Sequence, residues 1–517
     1  MGVPPSPNHP PTATRRFSIN AASNFLRLAV AAITWMVLTP FLINRIGIEA
    51  YGVVALAFSV YKMTTFLDGA VRTPFVRFFT LALKSGQSKA ANSYFNTGLF
   101  SSLFLLGLAI CISPLIVFYS SSFLEVPTGY KLQSGFVLAA GLLAGVLPLV
   151  QNIFESTPFA QNRLDLVNLS LASKNIVLLV GIVIGFFIFG PVLWHVGLWF
   201  VISGLASLAV ASWIWTKFRD SGLHINLQCF RFADLREILS MGGWVALNQA
   251  GGVLLVQINV FIVNAYLGAE VQGRFSAVQQ WEMLVRMGAV ALSSALVPVL
   301  LRKYATKGKE DLVQFSARAV KWLAIALSFP VGLLAGLGGP LMGIWLGPEY
   351  RSLAPLMVVL IGPLCVTVAF PPLLSVQMAL NKVRWPAIAT LAAGLLSISL
   401  AFWWIHWIPE LGLGVALAGV IGLSCKHLFF TPIYTSKILE VPIKTFIRPI
   451  LPGFFGTLIV GFGCYGVSLV RYPANWLQIG FVASAVVVPY CFIAFWLFFT
   501  RSERTLLYQL FFIRCSL

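Results

Sequence analysis

The chain has 517 residues, 58% hydrophobic and 10% charged, less than half the charged share of a soluble globular domain. A formal net charge of +19 would suggest nucleic acid in a soluble protein, but no polar stretch is long enough to fold as one. Apolar runs of about 20 residues or more recur from Leu28 onward, each enough for one membrane crossing; continuous runs, rather than ten-residue alternation, select helices over a β-barrel.

The opening stretch, MGVPPSPNHPPTATRRFSIN, is Pro-rich, and residues 1–16 are expected to be a disordered cytoplasmic segment. Arg15 and Arg16 read as an anchor for the first span. A twin-arginine export signal would need a cleavage site, and Arg27 interrupts the apolar run. Fourteen spans are predicted, at 17–44, 51–83, 93–119, 135–161, 166–190, 192–216, 238–266, 271–301, 313–342, 354–380, 386–405, 412–435, 449–469 and 477–500. Residues 17–216 form an N-lobe of six spans, 217–237 a cytoplasmic linker and 238–437 a C-lobe of six more. Residues 438–517 hold spans 13 and 14 and a cytoplasmic tail. With both termini in the cytoplasm, the loops on that side carry 21 Lys and Arg against 4 on the other. That asymmetry satisfies the positive-inside rule.

The two sets of six spans read as a duplication. FLINRIGIEAYG (41–52) pairs with FIVNAYLGAEVQG (261–273), matching Gly47 to Gly268, Glu49 to Glu270 and Gly52 to Gly273. SPLIVF at Ser113 pairs with GPLMGI at Gly339, and PFAQNRL at Pro158 with QMALNKV at Gln377, Asn162 over Asn381. A period of six spans gives copies of parallel topology, as in transporters whose substrate sites lie near mid-membrane at the repeat interface. The fold class is therefore an all-α polytopic membrane protein, with two pseudo-symmetric six-helix bundles plus two C-terminal helices.

Ten basic residues fall inside spans: Arg27, Lys62, Arg72, Arg77, Lys174, Arg274, Arg286, Arg318, Lys321 and Lys426. Only three acids do: Asp68, Glu155 and Glu282. Lys174, Arg274, Arg318 and Lys321 lie near helix ends and are expected to snorkel. In span 2, Lys62, Asp68, Arg72 and Arg77 fit within half the helix surface at about 100° per residue. Span 8, its repeat partner, carries Glu282 and Arg286. Two readings stand side by side. Asp68–Arg72 and Glu282–Arg286 have i, i+4 spacing and can neutralise each other locally. Lys62 and Arg77 have no such neighbour, and ionisable groups inside a membrane mark substrate or ion paths. A cavity of this sign favours an anion. The substrate-binding candidates are Lys62, Arg72, Arg77 and Arg286; the ion-coupling candidates are Asp68 and Glu282.

Other chemistry is not signalled. Seven cysteines and five histidines are scattered, so neither a disulfide framework nor a metal site is expected. No P-loop, D-x-D or H-E-x-x-H occurs, and no cofactor is expected. Glycine pairs at 141/145, 181/185, 332/336 and 339/343 suit close helix packing. Pro40, Pro74, Pro148, Pro298 and Pro371–Pro372 are candidate kinks.

LTPFLINRIGIEAYGVVALAFSVYKMTTFLDGAVRTPFVRF resembles the first two helices of bacterial polysaccharide flippases. These are the O-antigen, Wzx-like branch of the multidrug/oligosaccharidyl-lipid/polysaccharide exporter superfamily. The resemblance rests on Pro40, on Arg45, Gly47, Tyr51 and Gly52, and on Leu67, Asp68 and Gly69 with Arg77 downstream. The second copy lacks the Tyr and the L-D-x-G, as a diverged duplicate would. The resemblance implies a pair of bundles with alternating access in the bacterial inner membrane. The implied substrate is an undecaprenyl-diphosphate-linked oligosaccharide. In the related lipid II flippases, helices 13 and 14 help form a groove for the lipid tail. A non-enzymatic flippase follows, with membrane lipids, a proton or sodium ion, and polysaccharide polymerase machinery as candidate partners, and no nucleic acid. The rivals are a multidrug/cation antiporter of the same superfamily and a membrane polymerase or ligase of lipid-linked sugars.

Overall fold

The computed structural model describes residues 13–126, 129–219, 222–501 and 503–504. These residues fold into helices joined by short turns, with no strand among them. In order they are α1 (Ala13–Ile46), α2 (Ile48–Met63), α3 (Thr65–Lys84), α4 (Ser88–Phe123), α5 (Lys131–Ala160), α6 (Leu164–Phe189), α7 (Leu193–Phe218), α8 (Phe232–Val256), α9 (Ile258–Lys307) and α10 (Lys309–Gly336). Then come α11 (Gly338–Trp345), α12 (Ala354–Ile361), α13 (Leu364–Thr367), α14 (Pro371–Ala379), α15 (Arg384–Trp404), α16 (Leu413–Ser424), α17 (Thr431–Leu439), α18 (Lys444–Ile447), α19 (Leu451–Val470) and α20 (Trp476–Leu497).

Thirteen helical stretches among the described residues are long and apolar enough to cross a membrane. One of them, Phe232–Ser293, has 62 residues. At 1.5 Å per residue it is about 90 Å long, enough for two crossings. It is interrupted at Gly268, whose φ of 86° and ψ of 172° leave the helical region. The protein is an all-α polytopic membrane protein, with helix enough for about fourteen crossings among the described residues.

Helix limits differ from the sequence reading in several places. α1 is already helical at Ala13, inside the segment 1–16 expected to be disordered; residues 1–12 lie outside the described residues, as does the tail from 505. α8 begins at Phe232, inside the expected linker. The single tenth span expected at 354–380 is three short helices, with Pro371 and Pro372 opening the last. Proline fits a first helical turn because its missing N–H is not needed there. Pro40, Pro74 and Pro148 instead sit inside unbroken helices. The side chain of Pro298 lies outside the described set.

The duplication is written in the backbone. Left-handed φ angles occur in matched pairs: Gly47 (83°) with Gly268 (86°), Gly86 (72°) with Gly308 (83°), and Gly190 (84°) with Gly412 (72°). Glycine takes these angles without a Cβ clash. Asn162 (58°) and Asn381 (54°) match as well. Each closes its helix by the same two bonds. Asn162 and Arg163 donate to Phe159 and Pro158 at 2.9 and 2.8 Å; Asn381 and Lys382 donate to Met378 and Gln377 at 3.0 and 2.8 Å. This is the Schellman C-cap, with asparagine in glycine's place.

Two compact units partition the chain. The first runs to Val253 and includes Gly268–Gly273. Its centre is α5, which packs against α2, α3, α4, α6 and α7. Gly145 lets α2 pass close: a Cβ there would lie 2.9 Å from the Tyr61 carbonyl oxygen. Thr64, at the α2–α3 junction, donates to the carbonyls of Gly145 and Tyr61, both at 2.7 Å. The core below holds Phe75, Phe79, Phe95, Ile153 and Trp215. The connection after α7 is pinned to α4. Backbone N–H groups of His224, Asn226 and Arg231 donate to Asn92, Asn96 and Thr97 at 3.0, 2.8 and 3.0 Å. Ser93 donates to Asp234 at 2.5 Å, and Tyr94 to Glu237 at 2.7 Å.

The second unit comprises Leu254–Leu267 and the chain from Arg274. Here α10 packs along α19, and α15 along α16. Gly332 and Gly336 of α10 face α19; a Cβ at Gly332 would lie 2.8 Å from the Thr457 carbonyl oxygen. Between α16 and α17, residues Cys425–Phe430 form a π-helical turn.

Candidate functional site

Of the six residues singled out from sequence, Lys62, Asp68, Arg72 and Arg77 belong to the first unit, and Glu282 and Arg286 to the second. In the first unit, α3 and α5 create a polar patch between apolar layers. Gln151, Asn152, Glu155 and Ser156 on α5 follow i, i+1, i+4, i+5 spacing, so they share one face. Glu155 is 3% exposed. Its Oε1 accepts from Gln151 at 2.7 Å and Ser170 at 2.5 Å. Its Oε2 has no hydrogen-bond partner but faces the Arg72 guanidinium at 3.9 Å.

The local pairing expected of Asp68 with Arg72 is replaced by these cross-helix contacts. Asp68 accepts from the Asn152 side chain, and Arg72 turns to Glu155. Amide and hydroxyl donors from α5 and α6 hold the two carboxylates in place beside the arginine. Glu155 was visible from sequence only as one of three embedded acids. The signal that would have raised its rank is the QN-x-x-ES face of α5.

Arg72 remains 36% exposed. It lines a groove of about 580 Å³ with Thr73, Val76, Arg77, Thr80, Leu81 and Phe159. Arg77 is exposed, with Nη1 3.7 Å from the Met241 sulfur. The structure thus brings two of the four substrate candidates to one wall. Lys62 lies elsewhere in the unit: its ammonium sits 5.1 Å from the Phe58 ring centre and 5.8 Å from that of Tyr61. Lys174, expected to snorkel, is half-buried, with its ammonium buried 3.9 Å from the Tyr61 ring centre. Ring faces carry the negative lobe of the quadrupole and attract cations.

In the second unit the local pair does form. The Arg286 Nε and Nη2 donate to Oε1 of Glu282 at 2.8 and 2.6 Å. Lys321, another expected snorkeller, is tied to Glu503 at 2.8 Å. Arg318 is exposed. An apolar groove of about 580 Å³ runs along α19, lined by Phe454, Leu458, Gly461, Phe462 and Tyr465 with Val358 and Leu428. Among the described residues no His, Cys, Asp and Glu cluster could hold a metal ion.

Comparison with known proteins agrees with this architecture. Residues 18–303, more than half the chain, match the family described as polysaccharide biosynthesis protein. A relative from Bacillus subtilis (strain 168), the uncharacterized membrane protein EpsK, is 28% identical over 499 residues. The match spans 96% of this chain and 98% of the relative. The lipid II flippase MurJ in an inward closed conformation superposes with a TM-score of 0.67 at 16% identity, covering 92% of this chain and 99% of MurJ. An inward-facing multidrug resistance MATE family transporter of the MOP superfamily superposes at 0.64 and 14% identity, covering 81% of this chain and 98% of that one. Those two likenesses show the fold. The chain belongs to the polysaccharide biosynthesis protein family and is a multi-pass membrane protein.

Proposed function

We propose that this chain is a flippase for an undecaprenyl-diphosphate-linked oligosaccharide. It moves the lipid from the inner to the outer leaflet of the bacterial cytoplasmic membrane by alternating access through a cationic cavity, both termini being cytoplasmic. The observation that carries this reading is the groove with Arg72 and Arg77 on one wall and Val76, Leu81 and Phe159 beside them. Planar guanidinium groups replace the lost hydration of a diphosphate through charge-assisted hydrogen bonds. Lys62 and Arg286 are further contacts in this proposal. The apolar groove along α19 suits the prenyl tail, which would stay out of water while the head group moves. An inside-negative potential favours outward movement of an anion by about 2.3 kcal/mol per charge per 100 mV. Voltage alone, or antiport of a proton or sodium ion with Asp68 and Glu282 as coupling groups, would supply the drive. A polysaccharide polymerase downstream would consume the flipped unit.

The test is export in cells that depend on this chain. The Arg72→Ala/Arg77→Ala double variant should leave lipid-linked single units on the inner leaflet, with surface polysaccharide down at least about tenfold. Normal export from that variant, and from Lys62→Ala and Arg286→Ala, would reject the cationic cavity. The MATE likeness favours a second reading, a drug antiporter. Raised drug resistance on expression with unchanged polysaccharide would select it.

A further inference from the structure

We propose that a slot in the second unit, between α15 and the π-helical turn, binds an anionic phospholipid with its phosphate on Lys426. The slot holds about 370 Å³ and is lined by Trp385, Ala389, Ala392 and Leu396 of α15 and by Lys426 and Phe430 of the turn. Alanines at its back leave the space that larger side chains would fill. Lys426 is 7% exposed. Among the described residues no carboxylate faces its ammonium. A buried ammonium without a counter-charge is costly, so such a group is completed by an anion from outside the chain. The π-helical turn widens the backbone here, and Thr431 donates to the displaced Lys426 carbonyl at 3.0 Å. Such turns often mark ligand sites.

The order of groups along the slot suits a lipid. A Cβ on Gly422 would meet the Ala393 carbonyl at 2.8 Å, which sets the register of the two antiparallel helices. Lys426, one turn on, therefore lies level with Ala389, about 7 Å from the start of α15 at Arg384. In the orientation proposed above this is the depth of inner-leaflet phosphates, with Trp385 at the interface where Trp is enriched. From Ala389 to Leu396 the slot continues about 10 Å deeper between apolar walls, the course of an acyl chain. Basic pockets between helices on the cytoplasmic side recognise anionic head groups. A single cation and apolar walls fit one phosphodiester with its chain better than a free anion. The inference does not depend on what the protein transports.

The full chain, purified and delipidated in neutral detergent, would be titrated with phosphatidylglycerol, phosphatidylcholine or inorganic phosphate and followed by thermal unfolding and native mass spectrometry. Phosphatidylglycerol should bind roughly five- to tenfold more tightly than phosphatidylcholine and raise the melting temperature; inorganic phosphate alone should not. Lys426→Met, which keeps the length and removes the charge, should erase that preference. Ala392→Phe, which fills the slot, should erase it independently, and Lys426→Arg should keep it. Equal binding of both lipids, protection by phosphate alone, or an undiminished preference in Lys426→Met would overturn the proposal.

Discussion

The first unit's Asp68 and Arg72 and the second unit's Glu282 and Arg286 sit on repeat-related helices and solve the same problem differently, the first pair with the help of Glu155 on α5. In the second unit the arginine puts two donors on a carboxylate one turn away. In the first, the arginine stands between a groove and a carboxylate on another helix, 3.9 Å away. A self-contained pair needs nothing from the rest of the bundle and offers less to a ligand than a guanidinium that lines a groove. A shared pair is held less tightly, leaving its guanidinium 36% exposed. Duplication thus left one copy with a locked charge and one with an available charge.

That contrast can be broken by mutation. The largest expected effect is Glu155→Ala. It strips acceptors from Gln151 and Ser170 and the counter-charge from Arg72, lowering stability by about 2–4 kcal/mol, read as a lower melting temperature in detergent. Glu155→Gln should recover much of it by keeping an acceptor for Ser170. Next, Arg286→Ala leaves buried Glu282 without its partner and should cost about 1–3 kcal/mol by the same measurement. Arg72→Ala should cost less stability, about 1 kcal/mol or below, yet reduce export more than Arg286→Ala does. If the two arginine variants rank the other way in export, the distinction between locked and available charge is wrong.

A smaller effect is tied to pH. Burial pushes the Glu503 carboxyl up, but Lys321 and the N–H and hydroxyl of Thr500 outweigh it and hold it below its ordinary value. A depressed carboxylate stabilises the fold above its unfolded value, about 4.3, and that contribution fades as pH falls through the folded value. The melting temperature of the wild type should therefore drop toward that of Glu503→Gln only in the acid limb, below about pH 4. A difference constant at all pH values would exclude the ion pair as its cause. The smallest effect belongs to Lys309 and Glu440, 2.6 Å apart but with the carboxylate largely in water. Lys309 holds the Glu440 carboxyl below its ordinary value, yet Lys309→Ala should leave the melting temperature unchanged.

Much of the fold was legible because a membrane leaves few options: length, apolarity and loop charge gave crossings, and three short anchors gave the repeat. Gly47, Gly268, Asn162 and Asn381 were readable because their backbone angles select residue types. What stayed hidden was pairing across helices. Nothing in the i, i+4 spacing of Asp68 and Arg72 announces that Glu155, on a helix 83 residues further along, will take the arginine. Lys321 likewise looked like a snorkelling cation until Glu503, 182 residues away, met it. The π-helical turn at Cys425–Phe430 has no residue signature, so Lys426 could be read as an embedded charge but not as one facing a slot.

The strap between α7 and α8 bears on how the chain can be handled. A connector between two duplicated halves is the obvious place for a protease to cut or for a tag to be inserted. Here its N–H groups are held by Asn92, Asn96 and Thr97, and the first turns of α8 that follow are held through Asp234 and Glu237 by Ser93 and Tyr94. Cleavage requires an extended, released backbone, so those bonds must open together before a protease gains entry. Limited proteolysis should spare residues 224–237 in the folded protein. A reporter placed there would disturb α4 rather than hang from an idle loop.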